Sequence, residues 1–248
     1  MTLWVLSCLY TYIDSAVFTD LAQEAVLTCR QSLSSASDLL SAKKDAAADA
    51  KLFLVRHLLI LKEMTAGLDL GRARHRDWAG VTDFLRSLLD NATSLLGYGR
   101  SSSVRDFAPD VKTDLDRELK RACEDLITQC TASATLPLRA FLDRCNAHLA
   151  SGGKDLPAQE WATPAAVTAV HDEFRQFAES ELKHWRAQLM LYLQDDETVR
   201  VLVTPAQSAI VDTYRQFHDL VRAEYDFGSA AAMSTPSAVA AQLAEVRG

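Results

Sequence analysis

One stretch, DAKLFLVRHLLILKE at residues 49–63, limits the possible folds more than any other. Its centre, LFLVRHLLIL, is apolar at eight of ten positions and is broken only by Arg56 and His57. A membrane-spanning helix needs about 20 mostly apolar residues. Here the uninterrupted apolar runs are Leu52–Val55 and Leu58–Leu61, bounded by Lys51, Lys62 and Glu63. The segment is therefore too short to span. A helix that is apolar nearly all round belongs in a protein interior, covered by neighbouring helices on several sides. Leu54, Leu58 and Leu61 are expected to be buried, with Arg56 and His57 on a narrow exposed stripe. His57 is read as a helix-edge residue in preference to a buried polar pair or a partner contact.

The rest of the chain can supply such neighbours. A length of 248 residues with 48% hydrophobic and 24% charged residues supports a substantial core in one or two domains. Nine glycines and six prolines are few, and helix-favouring residues dominate, which points to an all-α fold. A net charge of −7 argues against nucleic acid as a partner, because binding phosphate needs a surplus of Lys and Arg. Only a local basic patch could touch a membrane. The five cysteines form no C-x-x-C pair, and their odd number fits poorly with a closed disulfide framework, so a reducing cytosol is expected. The opening MTLWVLSCLYTYID has neither a basic leader nor a cleavage site, and Asp14 interrupts it well short of a span. It is read as neither a signal peptide nor an anchor. It also starts without an N-cap residue, as though inside an element, so the chain is expected to be truncated there.

Apolar spacing predicts helices over most of the chain. The first runs from Trp4 to about Leu40 and the second from Leu52 to about Ala66, followed by a basic loop, GRARHRD (71–77), and a helix over Trp78–Leu96. A long helix from Pro109 to about Ala150 is expected to kink at Pro137. Its stripe includes Val111, Leu115, Leu119, Cys123, Leu126, Cys130, Leu138, Cys145 and Leu149. The segment SGGKDLPAQEWATP (151–164) reads as a linker, ending in a Thr163–Pro164 cap signal. A helix to about Leu193 follows, then an extended piece TVRVLV (198–203). Thr204–Pro205 reads as a second cap signal, before an inward stripe of Ile210, Tyr214, Phe217, Val221 and Tyr225. Residues 234–237 begin a final short helix, again capped by a Thr-Pro pair, Thr235–Pro236. The expected architecture is an elongated stack of antiparallel helices: a first bundle over 1–150, a linker over 151–164 and a C-terminal bundle over 165–248.

Six strings carry a resemblance: DLAQEAVLTCRQSL (20–33), DAKLFLVRHLLILKE (49–63), DLDRELKRACEDLITQ (114–129), AQEWATPAAV (158–167), LYLQDDETVRVLV (191–203) and YRQFHDLVRAEY (214–225). In this order, and at similar spacing over almost the whole chain, they resemble subunit three of the conserved oligomeric Golgi complex. The family's subunit is much longer, and the resemblance covers about its C-terminal third, without the upstream coiled-coil region. GRARHRD and the region around Pro137 look unlike the family pattern. The resemblance implies a helical-rod subunit of a vesicle tether, peripheral on the cytosolic face of Golgi membranes, that acts in retrograde transport and in recycling glycosylation enzymes. It implies other subunits of the complex as partners, especially those of the lobe with subunits one to four. SNAREs, Rab GTPases and vesicle coat would be met through the assembled complex. It implies no catalytic residues; no cofactor, nucleic acid or small-molecule substrate is expected.

The residues also raise two other readings. Glu181 and His184 have the Glu-x-x-His spacing of di-iron bundles, but those need a second such motif and two further glutamates, and none is found. Cys123, Cys130 and Cys145 share a helix face and could in principle hold a metal, although they extend the apolar stripe as small buried hydrophobes do. A bundle enzyme with a metal or cofactor is thus one alternative. GYGRSS (97–102) lacks the third glycine and the preceding strand of a dinucleotide site, and no G-x-S-x-G, H-E-x-x-H or P-loop occurs. The other alternative is a peripheral membrane-binding module, in which Arg72, Arg74, His75 and Arg76 meet anionic headgroups at about 1 kcal/mol each. Weak partner-binding candidates are Trp4, Leu6 and Tyr10, an apolar end that should pack on missing helices or join a partner, together with Arg72, Arg74 and Arg76.

Overall fold

The computed structural model describes residues 2–43, 46–68, 109–225 and 233–246. Among the described residues the fold is all-α. Its helices are α1 (Thr2–Leu9), α2 (Ser15–Ser41), α3 (Ala47–Leu68), α4 (Pro109–Ala134), α5 (Leu136–Ala150), α6 (Pro164–Leu193), α7 (Asp196–Glu224) and α8 (Pro236–Ala244). The chain forms two compact units, one of Met1–Leu126 with Tyr192–Val201 and one of Ile127–Leu191 with Leu202–Gly248.

In the first unit α2 and α3 pack antiparallel. Ser37 Oγ donates to the Ala50 carbonyl at 3.0 Å where the pair begins, and Leu21 and Met64 line one groove at its far end. The oily helix is a core helix: Leu52, Val55, Leu58 and Leu59 have no exposed surface, and Leu54 and Leu61 are buried as expected. Arg56 and His57 are half-buried, on a side that also carries Phe53 and Ile60. Helix α4 adds Leu115, Leu119 and Cys123 to the core and fixes its register by charge. Its carboxylates pair with cations of α2 and α3: Glu118 with Arg30 at 2.9 Å, Asp125 with Lys51 at 2.6 Å, and Asp116 with Lys62. Ser34 also donates to Glu118. Burial lowers the Lys62 ammonium from its ordinary range, and the Asp116 carboxylate opposes that shift.

The second unit is built around aromatic rings. Phe174 stacks on Tyr214 with centroids 5.3 Å apart, and Phe141 meets Phe217 edge-on at 5.6 Å. Ile210, Tyr214, Phe217, Val221 and Tyr225 are all buried, as their spacing predicts. Buried hydroxyls find carbonyls: Tyr225 donates to Ala162 at 2.7 Å and Tyr214 to Ser234 at 2.6 Å. Residues 151–164, read above as a linker, lie wholly within this unit. They form short 3-10 turns at Leu156–Ala158 and Glu160–Ala162, with Leu156 and Ala162 buried. The Arg144 guanidinium lies over the Trp161 ring at 4.4 Å. The His148 ring lies within 2.3 Å of where a Cβ would stand on Gly153, so a side chain there would require the ring to move aside.

Several boundaries differ from expectation. The helix read as continuous from Trp4 to Leu40 is broken, because Asp14 caps α2 by accepting from the Ala16 N–H at 2.9 Å. The kink expected at Pro137 is a helix break at Thr135, which places the proline in the first turn of α5, where its missing N–H costs no helical bond. TVRVLV is the start of α7 rather than an extended piece. Asp195 accepts from the Thr198 N–H at 2.8 Å and from its hydroxyl at 2.6 Å. Val199, Val201, Leu202 and Val203 are buried on that helix, and tertiary burial outweighs the weak β-preference of branched residues. Pro205 lies inside α7 and begins no new helix. Thr163 and Thr235 do cap, accepting from Ala166 at 3.3 Å and Ala238 at 3.2 Å.

Candidate interaction surface

The side chains raised by the metal and cofactor reading are packing and surface groups. Burial pushes the Cys123 and Cys130 thiols up to about 12 and Cys145 up to about 11, so all three stay protonated at neutral pH and serve as packing groups. Glu181 accepts from Ser133 and His184 is exposed. Among the described residues, no group of three or more His, Cys, Asp or Glu side chains is placed to hold a metal.

The features that stand out are apolar and on the surface of the first unit. In α1 and the turn after it, Trp4 is 70% exposed and Tyr12 88%, and Val5 and Tyr10 are also exposed, as are Val17 and Leu21 at the start of α2. Tyr10 is steadied by an edge-on contact with Phe18, centroids 5.1 Å apart. Of the three apolar candidates read from sequence, Trp4 and Tyr10 thus face outward, whereas Leu6 is buried. Arg72, Arg74 and Arg76, with the rest of GRARHRD, the Trp78–Leu96 helix and GYGRSS, lie outside the described residues.

A second feature adjoins Leu21. Helices α2 and α3 enclose an open groove of about 560 Å³ whose lining includes Leu21, Cys29, Leu33, His57, Ile60 and Met64. Its walls are mostly apolar, with Glu24, Thr28, Ser32 and His57 among the lining residues. His57 stands at its edge with Nδ1 2.8 Å from the Phe53 carbonyl and its ring 4.2 Å from the Phe53 ring. Such a groove suits a side-chain ridge of another helix, since helices associate by seating ridges in grooves. Sequence reading missed it, because Leu21, Ile60 and Met64 look like core positions. The available signal was an apolar circumference on α3 too wide for α2 and α4 to cover.

Comparison with known proteins agrees with the residues. Residues 1–84 match the family model "Conserved oligomeric Golgi complex subunit 3, C-terminal", and residues 118–245 match "COG3 C-terminal cap domain". Conserved oligomeric Golgi complex subunit 3 of Homo sapiens is 34% identical over 245 residues, covering 90% of this chain and 30% of that protein. The subunit 3 of Mus musculus is 33% identical, covering 95% of this chain and 31% of its own length. That of Saccharomyces cerevisiae is 24% identical over 228 residues, covering 89% and 27%. This chain therefore spans a little under a third of the length of these relatives. No solved structure matches. The two matched regions and these relatives show that the chain belongs to the family of conserved oligomeric Golgi complex subunit 3, in its C-terminal part.

Proposed function

We propose that this chain is the C-terminal interaction module of a non-catalytic subunit of the Golgi vesicle-tethering complex. It acts in retrograde transport within the Golgi and in the recycling of glycosylation enzymes. The observation that carries the reading is the match of two family models to 1–84 and 118–245 on an all-α scaffold. The exposed aromatic end of α1 and the apolar α2/α3 groove provide surfaces suited to protein partners. Its direct partners are other subunits of the complex, first among them those of its own lobe. SNAREs, Rab GTPases and vesicle coat are reached through the assembly. No helix among the described residues is long and apolar enough to cross a membrane, and residence on the cytosolic face of the Golgi would follow from assembly with the complex.

Co-precipitation of the full-length protein tests this reading. Recovery of the other subunits of its lobe is expected, and a full-length protein that brings down none of them would overturn it.

A further inference from the structure

The second unit contains one imidazole whose surroundings accommodate only one protonation state. His171, on α6, is 4% exposed. Its Nδ1 lies 3.2 Å from the Asp172 carboxylate, and its buried Nε2 has no hydrogen-bond partner among the described residues. Neutral imidazole tolerates this, donating through Nδ1 and leaving an acceptor lone pair at Nε2. A second proton at Nε2 would be a buried donor on a cation with nowhere to donate. The groups around it do not compensate. On its own helix it has Asp172, which is largely solvated, and the Arg175 guanidinium, whose Nη2 is held by Gln242 of α8 at 2.9 Å. From α7 come the Tyr214 ring, with centroids 5.8 Å apart, and His218, whose ring centroid is 6.3 Å from that of Tyr214 and whose Nδ1 is 3.9 Å from Asp219. Tyr214 in turn donates to the Ser234 carbonyl at the entry to α8.

We infer that His171 is an acid-sensitive latch: its protonation loosens α6 from α7 and, through Tyr214 and Ser234, the seat of α8. Burial holds this imidazole below its ordinary range, as do Arg175 and His218; only Asp172 opposes, and that carboxylate is screened by water. For a group depressed in the folded state, stability is present above the unfolded value of about 6.5 and is lost as pH falls through the folded one.

Proton NMR of the histidine rings tests this in the full chain, following the titration from pH 8 to pH 5 with the urea-unfolded chain as reference. His171 is expected to titrate at lower pH folded than unfolded, with simultaneous shifts of the Tyr214 and Phe174 ring signals. Each unit of separation corresponds to a tenfold loss in the folded-to-unfolded ratio. Titration at or above the unfolded value, or without movement of those rings, would overturn the latch. A second measurement compares urea midpoints at pH 7.5 and 5.5. The fall should be smaller in His171→Phe, or in His171→Gln should the first not fold, than in the parent, and an equal fall in the variant that folds counts against the proposal.

Discussion

Leu58 gives the sharpest test of the core described for the first unit. It has no exposed surface and sits midway along α3 among the buried Val55, Leu59 and Leu61. Truncation to alanine removes three carbons, about 2 kcal/mol of transfer free energy at about 0.8 kcal/mol per methylene. The surrounding helices can close only part of the space, which brings the expected loss to about 3–5 kcal/mol. Leu58→Asp is worse, because an unpaired carboxylate in this interior costs several kcal/mol more. The sum is comparable to the whole stability of an ordinary domain, roughly 5–15 kcal/mol. Urea unfolding followed by circular dichroism at 222 nm reads both, with Met64→Asp as the control, since Met64 is exposed on the same helix and such surface changes stay within about 0.5 kcal/mol. Leu58→Ala should lower the midpoint well below that of Met64→Asp, and Leu58→Asp should leave no cooperative transition. A soluble, cooperatively folded Leu58→Asp protein would refute the assignment of this helix to the core.

Other consequences are local. With a thiol reagent at pH 8, the exposed Cys8 should react at once, while Cys123, Cys130 and Cys145 should react only at the rate of unfolding. Tyr225→Phe leaves the buried Ala162 carbonyl without its 2.7 Å donor and should cost about 1–3 kcal/mol in denaturant titration. Asp195→Ala removes the cap that starts α7 and should cost about 1 kcal/mol and some helical signal; an unchanged spectrum and midpoint would argue for the extended start at 198–203.

The inward stripes were legible in the sequence because burial on a helix imposes a period, and Ile210 to Tyr225 keep it without exception. Thr163–Pro164 and Thr235–Pro236 were legible as caps for an equally local reason, since hydroxyl and proline each suit one position of a helix start. Thr204–Pro205 carries the same letters yet lies inside α7. Burial of Leu202, Ala206 and Ile210 on either side of Pro205 holds the helix together, and that packing is not encoded in the dipeptide. Leu149, expected inward, is exposed near the end of α5 because the chain turns away at Ser151. The surface was harder to read than the core. Leu6 and Tyr10 stand one helical turn apart in composition-equivalent settings, yet one is buried and the other exposed. Among the described residues no third helix covers that side of the α2/α3 groove, which no single helix reveals.

The claim that this chain works by binding other subunits is tested most directly by reconstitution. The full-length protein and a version carrying Tyr12→Asp, Leu21→Asp and Met64→Asp would each be mixed with the other subunits of the lobe and separated by size-exclusion chromatography. The account predicts co-elution for the parent and its loss for the variant, with circular dichroism unchanged. Undiminished co-elution of the folded variant would contradict the role given to the α1 end and the groove.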